Sequence, residues 1–140
     1  MSQGGHFVSY LVAYIVSLVL FAALDIAWLT TMGALLYKQT LGDILLPTVN
    51  LAPAAAFYLI YPAGLVYFGI MPALKSGVLS AAATNGALFG FFAYATYELT
   101  NYATLRNWTF QITLIDIAYG AVVSGAVAFA VAALLGHWRV

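Results

Sequence analysis

The chain has 140 residues, of which 65% are apolar and only 6% charged, and its four basic and four acidic side chains cancel. Soluble domains carry about 25% charged residues, so a water-covered globular surface is excluded, and zero net charge leaves no basic patch for nucleic acid. Cysteine is absent, which removes disulfides, thiol catalysis and thiolate metal sites.

The residues before Val8 carry no basic leader, and the apolar run that follows is too long for a signal peptide, so it is expected to stay in the mature protein. That run, Val8 to about Thr31, meets the requirement of roughly 20 apolar residues for a spanning helix. The connection Lys38 to Asn50 is half apolar and is expected to lie along the interface. Leu51 to Met71 is the second span. Its Pro62 removes the N–H that would bond the Tyr58 carbonyl, which predicts a kink. Tight turns, Ala73 to Gly77 and Thr104 to Thr109, then bracket a third span, Val78 to Ala103, and lead into a fourth, Phe110 to Gly136. In hydrocarbon every backbone polar group must be paired within its segment, and the alternation of barrel strands is missing. The expected fold class is therefore all-α: an integral membrane protein with one transmembrane domain over residues 1–140, built as a four-helix transmembrane bundle.

Four spans put both termini on one side, where the α-amino group, Lys75 and Arg139 lie, while Lys38 and Arg106 lie on the other. The excess of basic groups favours cytoplasmic termini by a single charge, in a multi-pass protein of the plasma membrane. Gly86-x-x-x-Gly90 and Gly120-x-x-x-Ser124 set small residues on single helical faces, where backbones approach closely, either within the chain or across a homodimer. Trp28, Trp108 and Trp138 fall near span ends, the place of interfacial anchors, and membrane lipid is the first expected partner.

Three carboxylates, Asp25, Glu98 and Asp116, lie inside these apolar runs, where a charge costs roughly 2.5 to 3.5 kcal/mol on insertion scales. At about 1.5 Å per residue, all three sit on the order of 10 Å inside the face that carries Lys38 and Arg106. Asn50 begins the second span at the same level. Tyr94, Glu98 and Asn101 share a helical face at the i, i+4, i+7 spacing, Tyr97 is beside them, and Asp116 is one turn from Tyr119. If these faces turn inward they form a polar chamber near one mouth. Three acids near one cation, Arg106, are expected to keep at least one proton between them near neutral pH and to titrate as a set.

Blander readings stand beside these: Asp25 reaching the interface, Glu98 paired with Arg106, Asp116 accepting from Tyr97 or Asn101, and Asn50 capping a helix. His6 and His137 lie on the terminal side, far from the acids, so no metal site is expected. No lysine sits inside a span for a Schiff base, and no histidine or cysteine is buried for haem, so no cofactor is expected.

The stretch Tyr94-Ala-Thr-Tyr97-Glu98-Leu-Thr-Asn101-Tyr-Ala-Thr-Leu-Arg106-Asn-Trp108, followed by Asp116-Ile-Ala-Tyr119-Gly120, resembles the signature of a bacterial membrane-protein family known only as domain of unknown function 2177. Leu24-Asp25-Ile-Ala-Trp28-Leu, the run from Asn50 to Gly64, and Phe68-Gly-Ile-Met-Pro72-Ala-Leu74 resemble it as well, so the likeness covers nearly the whole chain. The family pattern has aspartate where Glu98 stands and tryptophan where Tyr119 stands; acidity and aromaticity are kept, with a longer acid arm. The resemblance implies a bacterial four-span inner-membrane protein and supplies no reaction.

Three functional classes remain open. A proton-linked transporter or permease would use Asp25, Glu98 and Asp116 to bind a proton or a small cationic or lipidic ligand, with Asn50, Asn101, Tyr94, Tyr97 and Tyr119 orienting it and Arg106 as counter-ion or gate. A membrane-embedded enzyme would use one acid as general acid and another as general base on a lipid or isoprenoid. A structural or accessory subunit would use the cluster only to fix helix register.

Overall fold

In a computed structural model, which describes residues 3–137, the chain is helical almost throughout, with no strand among the described residues. Four helices make the bundle: α1 (Gln3–Met32), α2 (Leu51–Leu65), α3 (Leu79–Thr104) and α4 (Phe110–His137). Long runs of alanine, leucine, valine and phenylalanine give α1, α2 and α4 apolar surfaces nearly all round, and the helix satisfies the backbone without water.

Beyond Met32, α1 runs on through a wide π turn, Gly33–Tyr37, one α turn, Lys38–Leu41, and a 3-10 turn, Gly42–Ile44. In the connection from Lys38 to Asn50 the first half thus continues the helix, and only residues 45–50 are irregular. The extension is tied to the bundle by the Tyr37 hydroxyl, which bonds Asp116 of α4, and Leu41 beyond it is buried, 3% exposed.

Pro62 is enclosed within α2. One carbonyl along from the acceptor it deprives, the Leu59 carbonyl takes a hydrogen bond from the Tyr14 hydroxyl at 2.8 Å, so α1 repairs backbone that proline disturbs. A second π turn, Val66–Ile70, follows, and then a last α turn, Met71–Ser76. Gly77 ends it at φ 72°, the left-handed conformation in which glycine terminates helices. The turn between α3 and α4 uses Asn107 at φ 68° in the same way, asparagine being one of the few side chains that tolerate it.

Helices α3 and α4 pack along their length. A Cβ at Gly86 would stand 2.6 Å from the Ala128 Cβ and 2.7 Å from the Ser124 carbonyl oxygen, and one at Gly90 would stand 2.1 Å from the Gly120 carbonyl oxygen. The small-residue motifs thus meet within one chain. Phe21, Leu65, Ile70, Met71, Val127 and Val131 fill the core between α1, α2 and α4. Outside it, Phe7, Val19, Ile60, Phe92 and Val122 are more than half exposed, an apolar surface that the chain does not cover.

Three stretches are long and apolar enough to cross a membrane: Phe7–Ile44, Leu51–Ser76 and Phe110–His137. Helix α3 has the length, at 26 residues, but Ser80, Thr84, Asn85 and the threonines beyond Tyr94 dilute its apolar character. Its Thr84, Thr96, Thr100 and Thr104 hydroxyls bond back to carbonyls one turn earlier, which satisfies them without water. The side chain of His6, and Trp138 and Arg139 with their expected roles, lie outside the described residues.

Candidate functional site

The face of α1 that turns inward is Ala13, Ser17, Phe21 and Asp25, at successive four-residue steps. Asp25 is 4% exposed. Two phenols from other helices close on it: Tyr58 of α2 donates to Oδ2 at 2.6 Å and Tyr119 of α4 donates to Oδ1 at 3.0 Å. Asp25 therefore does not reach the interface. One turn further, Trp28 stacks on Tyr119 with ring centroids 4.1 Å apart and donates its indole N–H to the Tyr37 hydroxyl at 3.0 Å. Tyr37, the residue on which the wide turn after α1 ends, donates in turn to Asp116 Oδ1 in a very short hydrogen bond.

Glu98 of α3 is more deeply enclosed, 1% exposed. Its Oε2 accepts the Trp108 indole N–H at 3.0 Å. Its Oε1 is buried and has no donor, although the Asp116 carboxyl lies within hydrogen-bonding reach; two carboxylates offer acceptors only. Asp116 is half-buried and is close enough to Asp25 for their charges to interact. Tyr94 lies flat on Gly120, where a Cβ would come 2.2 Å from its ring, and meets Tyr119 and Tyr61 edge-on. Deeper still, the Tyr61 and Ser124 hydroxyls bond each other at 2.6 Å.

A polar chain thus runs from Tyr58 through Asp25, Tyr119, Trp28, Tyr37 and Asp116 to Glu98 and Trp108, drawing on every helix. Tyr97 and Asn101 lie at its rim: Tyr97 is 57% exposed, edge-on to Trp108 at 5.9 Å, with the Asn101 amide beside it. Two residues stand apart. Asn50 is exposed at the N-cap position of α2, and its side chain makes no capping bond. Arg106 is exposed in the turn and forms no ion pair among the described residues, so it does not lock Glu98. Asp116 takes its bond from Tyr37 rather than from Tyr97 or Asn101.

Three contributors are not singled out by the residue pattern: Tyr37, Tyr58 and Trp108. Trp28, one turn from Asp25, and Trp108 both fall near span ends, and each spends its N–H inside the cluster. Two surface grooves lie elsewhere. One, of about 540 Å³, is lined by Ala83, Thr84, Ala87, Leu88, Phe91 and Ala121. The other, of about 410 Å³, runs from Ala73 and Leu74 to His137. Neither of these grooves is lined by an acid. No three histidine or acidic side chains converge on a metal position among the described residues. Chemically, the arrangement can hold carboxylates in a dry setting and move a proton among phenols and acids.

No curated protein and no solved structure matches the chain. A family model described as a predicted membrane protein, DUF2177, matches residues 10–133, all three acids included, and the protein belongs to that family.

Proposed function

We propose that this is a multi-pass membrane protein whose Glu98–Asp116 pair binds a proton and couples it to the binding and transport of a small molecule or lipid. Four crossings complete the bundle, with α3 shielded along the face it packs on α4. A bacterial inner membrane with cytoplasmic termini fits the balance of the α-amino group, Lys75 and Arg139 against Lys38 and Arg106.

One observation carries the proposal: Glu98 is enclosed beside a second carboxyl, that of Asp116, and its Oε1 receives no donor. As two anions, that contact combines repulsion with an unsatisfied buried acceptor, which is costly in a dry site. A single shared proton turns it into a hydrogen bond. Asp25 has no such deficit, since two phenols serve its two oxygens. The acids therefore divide the work. Asp25 anchors the frame of Tyr58 and Tyr119, and the pair handles the proton.

Infrared spectra of the protein in nanodiscs test this. The carbonyl stretch of a protonated carboxyl is expected at neutral pH and should vanish in both Glu98→Gln and Asp116→Asn. Spectra with every carboxyl ionised at neutral pH overturn the proposal. A structural role has one observation in its favour, that the bonds of Asp25 and of Glu98 Oε2 all come from the chain itself; on that reading the band is missing from the start.

A further inference from the structure

At the polar end no cation is paired with the three carboxyls among the described residues. Among the described residues Asp25, Glu98 and Asp116 form no ion pair, and Arg106 stands exposed in the turn. The acids also do not converge as a metal site would, whereas magnesium or calcium takes about six or more oxygen ligands around one point. What stands beside them is aromatic. Tyr37 is bonded to Asp116, Trp108 is bonded to Glu98, and Tyr97 meets Trp108 edge-on at 5.9 Å. Aromatic rings beside carboxylates attract a diffuse organic cation, and the attraction grows once water is excluded. A compact hydrated ion gains less there, since rings replace few of its oxygen ligands.

Access lies at the rim by the turn between α3 and α4. Asp116 and Trp108 are half-buried and Tyr97 is 57% exposed, while Glu98 behind them is 1% exposed. We propose that the Glu98–Asp116 site binds an organic ammonium carrying apolar substituents, in exchange for the proton the two carboxyls share. Charge balances: one positive ligand arrives and one proton leaves to solvent. Glu98 Oε1, enclosed and without a donor, is the acceptor left for the incoming charge. The inference rests on the proton-binding reading and adds to it the class of ligand.

The test uses the full chain in phosphatidylcholine nanodiscs, with benzyltrimethylammonium as the probe, its neutral isostere neopentylbenzene, and potassium chloride. Benzyltrimethylammonium is expected to quench tryptophan fluorescence saturably, to release one proton per cation bound, and to discharge the protonated-carboxyl band. Asp116→Asn should abolish the release. Trp108→Leu should weaken binding about tenfold while keeping the stoichiometry, and Tyr97→Leu, at an exposed position, should weaken it less. Neopentylbenzene should do none of the three. A band that persists at saturating ammonium overturns the inference, and so does a band that potassium discharges equally well. A band absent before any cation is added overturns the proton-binding reading instead; saturable ammonium binding in that protein, lost in Asp116→Asn, would still support the cation site.

Discussion

The α3–α4 pair is held in two ways along its length. At the waist, Gly86, Gly90 and Gly125 bring backbone onto backbone and onto the small side chains of Ala87 and Ala128. Toward the turn, Glu98, Trp108, Asp116 and Tyr119 are joined to each other and to α1 and its extension by hydrogen bonds and stacked rings. Lipid tails are as apolar as the helix surface, so burial alone drives little association, and packing and polar contacts must do it. The waist sets how near the helices come, and the polar end sets how they are rotated. Volume should therefore matter most at the first and donor identity most at the second.

The largest effect is expected from Gly90→Ala. Its Cβ would stand 2.1 Å from the Gly120 carbonyl oxygen and 2.5 Å from Ser124 Oγ. The first of these is backbone and cannot rotate away, so the helices must separate, at about 3 kcal/mol in an unfolding titration with dodecyl sulfate. An unchanged midpoint would show that the waist does not set the distance. Tyr58→Phe comes next. It removes the 2.6 Å donor to Asp25 Oδ2 and little volume, and about 1 to 2 kcal/mol is expected in the same titration. Tyr119→Phe, whose bond is longer at 3.0 Å, should lose less.

The helical class followed from composition, because a chain so poor in charge and free of strand alternation has one way to satisfy its backbone in lipid. The acids were conspicuous because a carboxylate is expensive in an apolar run. Their partners were not. Tyr37 reaches Asp116 from a π turn that lies between the expected end of the first span and the connection starting at Lys38, and nothing in the residue pattern announces the turn. Tyr58 sits on a helix apolar all round, so periodicity gives no inward face. Trp28 and Trp108 lie at span ends, where an indole suits the interface and an internal bond equally well. Helix α3 reads as a span by length, yet its threonines and Asn85 leave it less apolar than the other three.

Smaller effects sharpen the contrast. Glu98→Gln keeps an acceptor for Trp108 and gives the buried end an N–H to offer Asp116, where Oε1 had no donor. Stability should change by less than about 1 kcal/mol, while the protonated-carboxyl band is lost. A large destabilisation would mean that the charge of Glu98, rather than a donor between the acids, holds the polar end together.

The smallest expected effect, and the one of opposite sign, is Gly33→Ala. Gly33 begins the wide turn after α1, its φ is not left-handed, and a Cβ there would meet nothing within 4 Å. With no clash, the change acts mainly through backbone freedom, and alanine should stabilise the helix by about 0.5 to 1 kcal/mol. A rise in the unfolding midpoint, with the Trp28–Tyr37–Asp116 bonds retained in the indole N–H resonance, is the expected result. A fall would mean that the wide turn needs glycine to form, and that the route by which Tyr37 reaches Asp116 is set by backbone flexibility. The same chemical step, one hydrogen replaced by a methyl, is thus expected to unfold the bundle at position 90 and to firm it at position 33, because only at the first does another backbone already occupy the space.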